Sequence, residues 1–284
     1  MFNVSFILVM FLFQFAVGCM ILLAMMPLKE VDLKFFQLSS GLSAFLTAIG
    51  LGLALYYPFA LPQSFLVQAS EQVYWSKLAL GFYVAFFVLS FFLYLRIRLK
   101  KESGAKFLLR LTALVGTAAL AVEGLLYRPL SLYGGFKNIV LPLHFITAAM
   151  FLGVFVLAMI FGHWYLVKSM PKRLLRRMAE LLILVLIARI LVVAGTYWVY
   201  YTQVSGGSQA FAALMDISHG HGLFFWQRVA VGLAVPAVLS YMIWATAKIG
   251  ANQSATGLLY VGVVFVIIGE IISKYIFLLS GIPI

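Results

Sequence analysis

The sequence predicts an all-α integral membrane protein of about eight transmembrane helices, and three observations carry that prediction. First, 64% of its 284 residues are hydrophobic and only 10% are charged, with a mean hydropathy of +1.09. No water-soluble domain of this length hides so much apolar surface. Second, the apolar residues form continuous runs near the ~20 residues a helix needs to cross the hydrocarbon layer. They do not alternate with period two, so helices rather than a barrel are the spanning solution. Third, Lys and Arg collect in every other loop, as a fixed orientation in a membrane demands.

In chain order the spans run 4–28, 35–56, 76–95, 107–128, 139–167, 178–201, 222–247 and 257–279. Met1 to Ser5 lacks the basic start of a secretory signal and the apolar stretch behind it is too long for one, so the first span is expected to be retained. Ala16-Val17-Gly18-Cys19 faintly resembles a lipoprotein cleavage box, but Met20 to Met26 continue the apolar run and favour a plain span. Between the sixth and seventh spans, Gly206 and Gly207 precede Ser208 to Ile217. There Phe211, Leu214, Met215 and Ile217 fall near helical spacing, which reads as a short helix lying in the outer interface. Pro236 is the clear break inside a span; no partner break marks a second half, as a transporter of inverted repeats should show. Even division suggests two four-helix bundles, residues 1–135 and 136–284.

The loops after the odd-numbered spans hold Lys29, Lys34, Arg96, Arg98, Lys100, Lys101, Lys106, Arg110, Lys168, Lys172, Arg173, Arg176, Arg177 and Lys248. The other side holds Lys77, Arg128 and Lys137. Fourteen against three predicts that the basic loops are cytoplasmic and both termini outside, in a bacterial-type cytoplasmic (inner) membrane. The net charge of +12 thus answers to membrane lipid and orientation, and no nucleic-acid partner is expected. A single cysteine, Cys19, excludes an internal disulfide and an iron–sulfur cluster of the chain's own.

Ionisable groups inside spans cost at least ~2.5 kcal/mol each on insertion scales, so they mark where function is expected. They are Glu123, His144, Arg189, Arg228, Glu270 and Lys274, with His219 and His221 just outside the seventh span. At ~1.5 Å per residue, Glu123, His144, Arg228 and Lys274 lie about 8 to 9 Å from the outer ends of their spans, Glu270 about 13 Å and Arg189 about 18 Å. His221 precedes Arg228 by two turns of one helical face, and Arg189, Val193, Thr196 and Tyr200 share another. A purely structural account pairs Glu270 with Lys274 at i,i+4 and gives Arg189 a carbonyl or Glu123. His163, before the basic loop, and Tyr197, Trp198, Tyr200 and Tyr201 at the opposite end read as interfacial girdles.

The cluster has the inventory for oxidising a hydroquinone, which needs a proton acceptor for each hydroxyl, donors to hold each quinone oxygen, and a nearby electron carrier. Glu123 and His144 are the candidate proton acceptors; Arg189, His221, Arg228, Glu270 and Lys274 are the candidate quinol-binding residues. No metal site is expected among them. A single b-type haem is one alternative, with His144 and either His219 or His221 as axial ligands on one side, and a non-redox transporter or structural anchor is the other.

These residues also carry a resemblance. Gly269-Glu270-Ile271-Ile272, then Lys274 and Phe277, resembles the G-E-L-I-G-R run, followed by an aromatic, of the membrane-anchor subunit of dimethyl sulfoxide reductase, a polysulfide-reductase-like anchor family. Trp226 and Arg228, with Gln227 between them, are similar to its Trp-Arg pair. Gln14 and Gly18 resemble its Q-x-x-x-G start, and Pro142 and Phe145 its P-x-x-F. Where the family has H-L-G-x-P, this chain has Leu55, Tyr56, Tyr57 and Pro58; its S-x-E is replaced by Trp75-Ser76-Lys77. A quinol-site His and an acidic partner are therefore missing there, leaving His144 or Glu123 to substitute. The resemblance implies a subunit without the catalytic centre, which binds menaquinone or ubiquinone and exchanges electrons with an iron–sulfur or cytochrome subunit on the outer face, beside a catalytic oxidoreductase subunit.

Overall fold

A computed structural model describes residues 4–28, 30–56, 69–100, 104–128, 137–168, 171–204, 206–219 and 221–284. Lys29, Tyr57, Pro58, Lys101 and the side chain of His219 lie outside the description. Among the described residues, eight helices are long and apolar enough to cross a membrane, as the sequence predicts. They are α1 (Val4–Met25), α2 (Leu33–Tyr56), α3 (Ala69–Arg98), α4 (Ala105–Leu126), α5 (Lys137–Val167), α6 (Lys172–Gln203), a seventh span in two pieces, and α10 (Asn252–Ser280). The pieces are α8 (Gly222–Val229) and α9 (Val235–Ile249), joined by a π-turn over Ala230–Ala234. The expected interfacial helix is α7 (Gly207–Met215).

Neighbours in sequence pack as neighbours in space. The first four helices close a ring in which α1 also meets α4, and α5, α6, α9 and α10 close a second. The rings are not independent, because α1 packs along α5 more extensively than any other pair and also touches α10. Those two are the central helices: 78% of the apolar window of each is buried, against 28% for α3, which faces lipid. Nothing hydrophobic distinguishes a neighbouring helix from a lipid tail, so close approach depends on small residues. At the α1–α5 crossing a methyl on Gly18 would sit 1.8 Å from the Ala149 carbonyl oxygen, and one on Gly153 would sit 2.2 Å from the Gly18 backbone. Gly124 does the same for α4 against Pro142 of α5, and Gly232 for the π-turn against Gly269 of α10.

Loop contacts sort the two ends. Arg173 pairs with Glu30 at 3.1 Å and Lys168 with Asp32, tying the basic loops after α1 and α5 together. At the far end Arg128 bonds Glu71 at 2.7 Å and the Asn138 side chain at 3.1 Å. Gly250, at φ +80°, turns α9 into α10 within two residues. At the interfaces, exposed His163 meets the Tyr260 hydroxyl at 3.1 Å, and Tyr197, Trp198 and Tyr201 are exposed, whereas Tyr200 turns inward to the Gly281 carbonyl. Cys19 is buried and free.

Candidate functional site

A polar centre is assembled where α5, α6, α8 and α10 converge. Its hub is Glu270, fully buried, with three cations around one carboxylate. Arg228 Nη2 donates to Oε1 at 2.8 Å, Arg189 Nε to the same oxygen at 3.3 Å, and Lys274 Nζ to Oε2 at 3.3 Å. Arg189 is the longest strut. Its Nη1 reaches His144 Nδ1 at 3.1 Å, and its Nη2 reaches Ser273 Oγ at 3.4 Å and the Ile284 backbone oxygen at 3.3 Å. Ser273 also donates to that Ile284 oxygen.

Hydrogen-bond logic assigns the imidazole. Arg189 can only donate, so His144 Nδ1 accepts and Nε2 carries the proton. Nε2 donates to Thr196 Oγ1, whose own hydroxyl goes to the Val192 carbonyl at 2.9 Å. Both ring nitrogens are therefore engaged, and a haem iron would have to take His144 from Thr196 or from Arg189. His221 caps α8, is exposed, and its ring makes no hydrogen bond or ion pair among the described contacts. It stands apart from the centre, as does Glu123.

Local chain chemistry explains why Arg228 lies where it does. Pro236 has no N–H, so an unbroken helix would leave the Gly232 carbonyl without its partner. The π-turn absorbs the break and Arg228 Nη1 donates to the Gly232 oxygen at 3.3 Å. Turns of this kind recur at functional positions. Gly232 and Gly269 touch backbone to backbone, and a methyl on Gly269 would sit 2.9 Å from Arg228 Nη1. Gly269 thus makes room for the arginine that its neighbour Glu270 binds.

Beside the hub is a cavity of about 20 Å³ between α1, α5 and α10, lined by Met10, Gln14, His144, Arg189, Glu270 and Lys274 among others. That is room for about one water. Arg228 does not line it; it stands behind Glu270 and positions it. Gln14 Oε1 is buried with no partner, and so is Arg228 Nε. Glu123 lies on the first ring: Tyr83 donates to its Oε2, while Oε1 is buried and unpartnered. Lys274 is near enough to act on it electrostatically.

Of the six ionisable groups expected in the spans, five form one connected network and Glu123 sits beside it. Sequence reasoning missed Tyr83, whose only signal is a phenol in mid-span, and Ser273, Ile284 and Thr147, whose hydroxyl accepts from Arg189 Nη1 at 3.5 Å; these three carry no signal at all. Thr196 was marked by its spacing from Arg189.

No family model matches the chain, and no curated protein or solved structure matches it. Fold and site define a class: a helical membrane protein of eight spans with a buried charge centre toward the end of the bundle where α1 begins and α10 ends.

Proposed function

We propose that this chain is the membrane subunit of a respiratory redox complex, which binds quinol or quinone at the polar centre and exchanges electrons with an iron–sulfur or cytochrome partner on the outer face. In this reading both termini are outside, in a bacterial-type cytoplasmic membrane, and the chain resembles the dimethyl sulfoxide reductase anchors named above. The observation that carries it is the convergence of His144, Arg189, Glu270 and Lys274 on one buried cavity that also holds the unpartnered carbonyl of Gln14. Unpaired polar groups at this depth are costly to keep and are the usual mark of a ligand or proton path.

Oxidising a hydroquinone releases two electrons and two protons. Gln14 Oε1 is free to accept one hydroxyl, and Lys274 and Arg189 are the donors for a quinone oxygen. Glu123, with one carboxylate oxygen free, is the proton acceptor on the α4 side, and His144 becomes one only when Arg189 releases Nδ1. Electrons pass to the docked partner and protons leave on the outer side. A cavity sized for one water cannot hold the ring as it stands, so Met10 of α1 and Phe277 of α10 must yield when it enters from lipid.

Photolabelling of membranes with an azido-quinone tests this. The label should map to α1, α5 or α10 near Met10 and Phe277, compete with menaquinol or ubiquinol, and fall at least tenfold in Lys274→Met and Met10→Trp variants that still assemble. Labelling elsewhere, or unaffected by both substitutions, would overturn the reading.

The saturation of Glu270 favours a second reading, in which the cluster only locks α6, α8 and α10 together.

A further inference from the structure

At the opposite end of the bundle, a groove of about 320 Å³ runs between the end of α1 and the starts of α4 and α6. That volume falls at the low end of the roughly 300–1,000 Å³ range of ligand sites. Its floor is apolar, with Met25, Met26 and Leu181, and its rim carries Lys106, Arg110 and Arg177 and no acidic residue. All three cations are exposed, and among the described residues none makes an ion pair. Among the described neighbours, Lys168 pairs with Asp32, Arg173 with Glu30 and Arg176 with Glu180. The start of α4, capped by Gly104 at φ +73°, opens beside the same rim, whereas the start of α6 is closed by Tyr165, whose hydroxyl accepts from the Leu175 amide at 3.2 Å and donates to the Pro171 carbonyl.

We propose that this groove is a binding site for an anionic phospholipid, its phosphate held by Lys106, Arg110 and Arg177 beside the start of α4, its acyl chains lying on Met25, Met26 and Leu181. Three exposed cations and the positive dipole end of α4 call for negative charge, and backbone amides at a helix start are ready phosphate donors. The apolar floor and the position at the ends of three spans call for a ligand with a hydrocarbon body at headgroup level rather than a free ion. A zwitterionic lipid would bring its own cation against the rim.

Native mass spectrometry of the full chain in neutral detergent, titrated with phosphatidylglycerol or phosphatidylcholine of matched acyl chains, decides it. Each basic residue near a headgroup contributes about fivefold in affinity, so Lys106→Gln/Arg110→Gln/Arg177→Gln should weaken phosphatidylglycerol binding on the order of a hundredfold. The binding preference over phosphatidylcholine should vanish with it. An equal loss of charge at Arg98→Gln/Lys100→Gln/Lys248→Gln should leave that preference intact. If the groove variant does not fold, Arg177→Gln alone should show the fivefold step. The proposal is overturned if the preference survives the groove substitutions, if the control triple abolishes it equally, or if inorganic phosphate displaces the lipid at equal concentration.

Discussion

Replacing Glu270 by Gln keeps the shape of the hub and removes its only negative charge. Three contacts are lost at 2.8, 3.3 and 3.3 Å, to Arg228, Arg189 and Lys274. At an effective dielectric of about 20 each is worth roughly 5 to 6 kcal/mol of attraction before desolvation and cation repulsion are subtracted. What survives in measurements on buried pairs broken from one side is about 3 to 5 kcal/mol. At about 2 to 4 °C per kcal/mol, the unfolding midpoint should fall by roughly 6 to 20 °C. The assay is thermal unfolding of the purified chain in mild detergent, followed by tryptophan fluorescence. Arg228→Gln should cost less, because Arg189 and Lys274 still hold the carboxylate. The double variant Arg228→Gln/Glu270→Gln should lose less than the sum of the two single losses, since it removes one of the stranded cations. A Glu270→Gln midpoint within about 2 °C of wild type, or strict additivity in the double variant, would refute the charge-compensated hub. A large loss in Glu270→Gln with unchanged azido-quinone labelling in Lys274→Met would favour the structural lock over the quinol site.

Gly18→Ala should destabilise by about 1 to 3 kcal/mol, because its methyl must push α1 off the α5 backbone; a midpoint equal to wild type in the same melt would contradict the crossing. Asp32 accepts from the Lys168 ammonium and the Lys34 amide, which hold its pKa below the usual value near 3.8. Its contribution is therefore present above that value and lost as pH falls through the lower folded one. Because the Lys168 side chain is more than half exposed, Asp32→Asn should cost about 1 kcal/mol or less at pH 7, less in high salt, and progressively less as pH falls through the lowered folded value. Thiols introduced at Lys101 and at exposed Ser208 report orientation: an impermeant reagent in intact cells should label Ser208→Cys alone, and labelling of Lys101→Cys alone would invert the assigned topology.

The spans were legible because membrane crossing imposes a length that apolar runs display directly, and the same runs located α7 from four apolar residues at helical spacing. Their ends were less so. Helix α3 runs to Arg98 and α6 starts at Lys172, well beyond the apolar cores at 76–95 and 178–201, since charged residues in a terminal turn continue a helix once outside the hydrocarbon. Pro236 was visible as a break, but its consequence was not. Only the fold shows that the break leaves a carbonyl for Arg228, which binds the glutamate of a different helix.

Residue counting supplied depth along each span and which residues share one helix face, but not which helices meet. Arg189 and Glu270 were placed deeper than His144, Arg228 and Lys274, yet all five are joined, because a guanidinium on its long stem bridges the difference in level from the α6 backbone to His144 and Ile284. Glu123 was placed level with His144 and Lys274, yet its hydrogen bond is to Tyr83 on the first ring. Which way a helix faces follows from its neighbours, and the neighbours are chosen by where backbones can touch, at Gly18 against Ala149 and Gly232 against Gly269. Those small residues, uncharged and individually unremarkable in an apolar run, decide which charges meet. Substituting Gly269 by Ala, which places a methyl 2.4 Å from Gly232 Cα, should therefore disturb the Arg228–Glu270 contact as surely as altering either charge.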